Sequence, residues 1–188
     1  MMIISTRLIR IFFLGLLAVF FSSCDELKEK TKQSLEVDAN KVYFEVDSTS
    51  FNAQKSTNAT VVVLDTTINV DVAGVLEDNG YSTDNLSEAQ ITQAVLTIEE
   101  HDVPLDFITS ATLSIGEAGG ETEVVAQTTN IEPGSQTVEL DTFNDNILEY
   151  LEVNPLRVVL EVQSDEPLPA DEVEMSVNTS YEVTVEVL

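Results

Sequence analysis

Apolar and polar residues alternate with a period of two over most of the chain after Lys41, which is the pattern of strands with one buried and one wet face. The C-terminal run is the clearest: Tyr181, Val183, Val185 and Val187 share one face, and Glu182, Thr184 and Glu186 the other. Just before it, Val173, Met175 and Val177 alternate with Glu174 and Ser176. Val42, Phe44 and Val46 alternate with Tyr43, Glu45 and Asp47, and Ile68, Val70 and Val72 with Asn69, Asp71 and Ala73. Further strands are predicted over residues 60–65, 92–99, 111–116, 122–128, 136–142 and 156–163, the last with Leu156, Val158, Leu160 and Val162 inward.

Turn chemistry separates these runs at Asp78-Asn79-Gly80, Gly119-Gly120, Pro133-Gly134 and Pro167-Leu168-Pro169. About nine short strands without long intervening helices predict an all-β chain, a single antiparallel β-sandwich of immunoglobulin-like or jelly-roll topology. One or two short connecting helices are expected. One would be capped by Asn144, with Ile147, Leu148 and Leu151 on one face; a weaker one covers Asp84 to Gln90. A domain of roughly 150 residues buries about 68–70% of its unfolded surface, so neither a disulfide nor a metal is required for stability.

The N-terminus follows a different pattern. Arg7 and Arg10 precede an unbroken apolar run from Ile11 to Phe21, and the small polar pair Ser22-Ser23 leads to Cys24, the sole cysteine. This is the layout of a secretory signal peptide, and the run is about half the roughly 20 residues a membrane-spanning helix needs. Phe21-Ser22-Ser23-Cys24 resembles the lipobox of bacterial lipoprotein precursors, with Phe21 where that family usually has Leu. The resemblance implies removal of residues 1–23 and acylation of Cys24, whose lipid chains would hold the domain at a membrane. Asp25 after the cysteine resembles lipoproteins of Bacteroidota-like bacteria, which implies a place in the cell envelope, at the outer membrane; under enteric-type sorting the same Asp implies retention at the inner membrane. The expected organisation is a signal peptide over 1–23, a lipidated cysteine and flexible tether over 24–40, and the sandwich over 41–188.

Charge narrows the partners. All 34 acidic residues follow Cys24, whereas loss of Arg7 and Arg10 leaves six basic side chains, five of them at or before Lys55. A surface this acidic excludes nucleic acid as a partner, since phosphate binding needs basic residues. The membrane, through the anchor, and another envelope protein remain. The one late cation, Arg157, is expected in a surface cross-strand ion pair.

Candidate chemistry is sparse. His101 is the only histidine, which leaves no His pair for zinc, and no nucleophile elbow, P-loop or zinc-binding helix motif is present. The absence of Trp disfavours sugar platforms. Calcium is the cation best suited to so many carboxylates, and two loops offer candidate ligands: Glu77, Asp78 and Asn79 with Asp84, and Asp165 and Glu166 with Asp171 and Glu172. Asp47-Ser48-Thr49 and Asp65-Thr66-Thr67 resemble the short O-glycosylation motif of Bacteroidota. The leading expectation is a non-catalytic envelope lipoprotein that presents a protein-binding or assembly surface. The alternative is a small carboxylate-dependent hydrolase such as a glycosidase, which needs a suitably spaced pair of acids.

Overall fold

The computed structural model describes residues 31–38, 41–53, 60–100, 102–143, 145–152 and 154–187. The expectations for the signal peptide, Cys24, His101 and Asn144 fall outside these residues.

Among the described residues ten strands form two antiparallel sheets. The first contains β1 (Thr31–Asp38), β2 (Val42–Asp47), β4 (Leu86–Ile98), β7 (Thr137–Glu139) and β10 (Glu172–Val187). The second contains β3 (Thr60–Ile68), β5 (Ser110–Glu117), β6 (Thr122–Thr128), β8 (Asp141–Thr142) and β9 (Leu156–Gln163), in the order β3-β9-β5-β6-β8. In the first sheet β10 is central. One of its sides pairs with β4, which pairs in turn with β7; its other side takes β1 and β2 end to end.

The chain changes sheet after β2, β3, β4, β6, β7 and β9, and β5 and β6 form a hairpin within one sheet. This double Greek key is the jelly-roll member of the two expected topologies. The connections after β2, β4, β6 and β9 meet at one end of the sandwich, where Ser48 N donates to Asp171 O and Leu105 N to Ser135 O, both at 2.8 Å. The opposite end carries α2 (Val72–Asp78) and α3 (Leu148–Glu152), and α1 (Ser48–Ala53) follows β2. In the β5-β6 turn Gly119 has a φ of +79°, and at Gly116 a Cβ would lie 2.2 Å from the Glu121 carbonyl oxygen, so only glycine fits there.

The core lies between the sheets. From β10 come Val173, Met175, Val177, Tyr181, Val183 and Val185; across from them lie Leu113, Ile115, Leu156, Val158, Leu160 and Val162, all buried. The two C-terminal runs read as separate strands are thus one 16-residue strand, bridged by Thr179, which is also buried. Thr179 Oγ1 lies 3.0 Å from the Tyr181 hydroxyl, so each gives the other a partner inside the sandwich.

Four expectations are corrected. The tether does not extend to residue 40: β1 pairs along β10 from Thr31↔Val187 to Asp38↔Ser180, and Val37 is 1% exposed. Its apolar content is low because only Leu35 and Val37 need to face the core. No helix forms over residues 84–90, where a short 3₁₀ turn (Thr83–Asn85) runs directly into β4. Two bulges in β4 hid that strand: Ser87 and Thr92 have no partner in the β10 register, and each reverses the alternation. The inward residues therefore run Leu86, then Ala89 and Ile91, then Ala94, Leu96 and Ile98. Finally, β3 ends at Ile68, because Asp71 caps α2 by accepting from Gly74 N at 2.9 Å. Val72 and Leu76, four apart, are buried on the face of that helix.

The position of β1 yields a stability prediction. Val37→Ala removes two buried carbons and is expected to cost about 2 kcal/mol in urea unfolding, whereas a tether residue would cost nothing. Glu36→Ala should be neutral or slightly stabilising, because Glu36 lies directly opposite Glu182.

Candidate functional site

The structure brings together few of the candidate residues. Glu77 and Asp78 end α2, the Asn79 amide donates to Val75 O at 2.8 Å, and Asp84 sits in the 3₁₀ turn, all exposed. Asp165, Glu166, Asp171 and Glu172 are exposed along the turn into β10. Among the described residues no three Asp, Glu, His or Cys side chains converge as metal ligands would. Asp65-Thr66-Thr67 lies within β3, not at a strand break. There the Asp65 carboxylate accepts from Arg157 Nε and Nη2, each at 2.8 Å, while Arg157 Nη1 donates to Gly120 O. This is the expected cross-strand pair, and the guanidinium holds the Asp65 carboxyl below its ordinary value.

Two clefts sit at the ends of the sandwich. One, of about 360 Å³, is lined by Val70, Asp71, Thr83, Leu86 and Leu151, but its Asp71 carboxylate is occupied in capping α2. The other, of about 470 Å³, lies beside Pro104, Phe107, Pro167 and Pro169, and its Asp106 accepts from Gly134 N at 2.6 Å. Asp71 and Asp106 thus each have a structural partner, while Glu152 and Glu166 also line the first and second cleft respectively.

The most distinctive surface is the side of the sandwich where β2 and β3 form margins of their sheets that no other strand covers among the described residues. Along β2, Val42, Phe44 and Val46 face inward, and Tyr43, Glu45 and Asp47 outward. Glu99 N donates to Glu174 O, so the backbone groups of Glu174 face β4, and those of its opposite number in β2, Glu45, face away from β10. Ser48 N donates to Asp171 O, which fixes the same alternation from the other end of the strand. Tyr43 and Glu45 therefore direct N–H and C=O groups outward, and no partner for them is found among the described residues. Tyr43 is 59% exposed and Val62, on β3, 45% exposed, the largest apolar exposures among the described residues together with Val124. A cleft of about 160 Å³ between the two margins is lined by Val46, Phe51, Val61, Val62 and Val63.

A polar cluster steadies this edge. Lys41 Nζ lies 2.6 Å from Glu99 Oε1 and 5.0 Å from the centre of the Tyr43 ring, and the Ser176 hydroxyl donates to the same Glu99 oxygen at 2.5 Å. The ammonium, followed by the hydroxyl, holds the Glu99 carboxyl below its ordinary value, and Glu99 in turn raises Lys41. At the far end Tyr150 donates to Glu123 Oε2 at 2.9 Å and pins α3 to β6; that hydrogen bond, with some desolvation, pushes the phenol up to about 12. Sequence reasoning missed the edge, because alternation shows which face of a strand is wet and not whether the strand has a neighbour.

No family model matches the chain, and no characterised protein matches it by sequence. Among solved structures, the chain resembles infectious bursal disease virus of the Gt strain (TM-score 0.35, 15% identity, 82% of this chain and 33% of that one). The Gx strain gives a TM-score of 0.37 at 15% identity, over 82% of this chain and 32% of the other. Tomato aspermy virus gives 0.27 at 10% identity, over 89% and 92%. The chain spans about one third of the length of the first two.

The Tyr150 contact has a pH signature. Its raised phenol contributes stability that is fully present below the ordinary value of 10 and is lost as pH rises through about 12. Ultraviolet titration is expected to show Tyr150 ionising late, and Glu123→Gln to return it toward 10.

Proposed function

We propose that the chain is an envelope lipoprotein, anchored through Cys24, whose sandwich is a non-catalytic module that binds or assembles with another envelope protein. The observation that carries this reading is the open edge of β2, with outward backbone groups at Tyr43 and Glu45 and an exposed aromatic side chain. Such an edge is costly to leave uncovered unless something pairs with it.

Two further features support the reading. Among the described residues, the carboxylates with a clearly altered affinity for protons, Asp65 and Glu99, are both held down by cations, the wrong direction for a general acid. The first described residue, Thr31, lies opposite Val187 at the end carrying α2 and α3. About seven residues lead there from Cys24, and at 3.3–3.6 Å each they reach at most about 25 Å. Lipidation of Cys24 would thus set that end toward the bilayer and turn the Pro-lined end outward, leaving the β2 edge along the flank.

Anchoring and binding are tested separately. Cys24→Ser is expected to leave the protein unprocessed and outside the detergent-extractable lipoprotein fraction; membrane retention at the mature size would contradict the anchor. A photo-crosslinking residue at position 43 is expected to capture a defined envelope protein in native membranes, and the same residue at position 124, on the other sheet, is not. Equal capture from both positions would contradict a specific surface.

A further inference from the structure

We infer that the β2 edge takes up an extended segment of another protein as an added strand, and that this segment alternates apolar and basic residues. The inference rests on the binding reading above and names the partner's chemistry. A strand added to β2 lies 4.7–4.9 Å from it and completes the outward backbone groups of Tyr43 and Glu45. Its side chains then divide by face.

On the inner side they meet the partly exposed Phe44 and the valines Val61, Val62 and Val63 of a cleft that Glu45 and Asp47 also line, and apolar residues cover the Phe44 and valine side chains favourably. On the outer side they meet an acidic stripe in which like charges stand directly opposite each other, Glu45↔Glu174 and Asp47↔Glu172. Opposed like charges destabilise a ladder, and Lys41, the cation beside them among the described residues, is drawn toward Glu99 at 2.6 Å. Incoming lysine or arginine at every second position would relieve that repulsion.

A second copy of this chain fits poorly. Its own edge would bring Glu45 and Asp47 against the same residues, in a molecule of net charge −26. The β3 margin is also a poorer template, because the register shift at Val63 bulges the strand, whereas β2 runs against β10 without a shift.

The test uses the mature chain and a short capped peptide of alternating valine and lysine, with a valine-glutamate peptide as control. Binding is expected for the basic peptide alone, weakening roughly tenfold from low to high salt. Amide hydrogen exchange should slow at Tyr43 and Glu45 and stay unchanged along β3. Glu45→Pro removes an N–H that β10 does not use, so the fold should survive while binding falls at least tenfold. Glu45→Lys places opposite charges at the Glu174 pair; it should hold or raise the melting temperature and weaken binding. The inference is overturned if the basic peptide does not bind, if the acidic one binds equally, or if protection appears elsewhere. Concentration-dependent self-association that protects the same amides would overturn it in favour of a second copy. Peptide binding at β2 without any partner captured in membranes would leave the edge standing and remove the envelope-assembly reading; capture at position 124 alone would do the reverse.

Discussion

The fold depends on β10. This strand of 16 residues is the only element that β1, β2 and β4 all pair with, and it carries the inner face of its sheet from Val173 to Val185. At about 3.3 Å per residue it runs roughly 50 Å, much longer than an ordinary strand of five or six residues. No single neighbour matches that length on the β2 side, so the chain uses two strands in line there. On the other side β4 follows the whole length, and two bulges let it stay in register with a twisted partner. Placing the last strand at the centre also means that the N-terminal strands complete the sheet at its margin.

That arrangement explains which interactions are structural and which remain available. Capping of α2 by Asp71, the Asp65-Arg157 fork and the Tyr150-Glu123 bond each tie a connection or an edge to its neighbour. Along the first sheet the picture differs, because the acidic cross-strand pairs oppose one another and contribute about 0.2–1 kcal/mol each against folding. A core of this extent tolerates that cost. The acidity also keeps open edges of separate copies apart, which is one established use of charge on marginal strands.

How much of this was legible in the sequence follows from geometry. Regular strands with one wet face were plain: β5, β6 and β9 fall within a residue of the runs predicted from alternation, and Leu156, Val158, Leu160 and Val162 are buried as expected. β4 was half hidden because each bulged residue reverses the period. β1 resembled a tether because an edge strand needs only a few apolar contacts, here Leu35 and Val37. The Val70-Val72 alternation was real burial with the wrong cause, since Val72 faces inward from a helix whose Asp71 cap stands in the sequence. The candidate site was the least legible part. Exposure of an edge is a property of strand order, which arises from contacts between residues more than a hundred positions apart, as between Phe44 and Met175.

The same reasoning bears on why the calcium candidates and the β2 edge fare differently. Loop carboxylates adjacent in sequence project into solvent in divergent directions, and only a turn that curls back makes them converge; the segment from Asp165 to Glu172 instead leads into the extended strand β10. Strand carboxylates are held at fixed spacing by the ladder, so Glu45 and Glu174 face each other whatever the solvent does. Order of that kind is what a partner strand can read: the backbone sets the register, the pleat sorts side chains to two faces, and charge on one face with apolar surface on the other fixes which sequences fit. Specificity at this edge would therefore come from alternation itself, the property that built the sandwich.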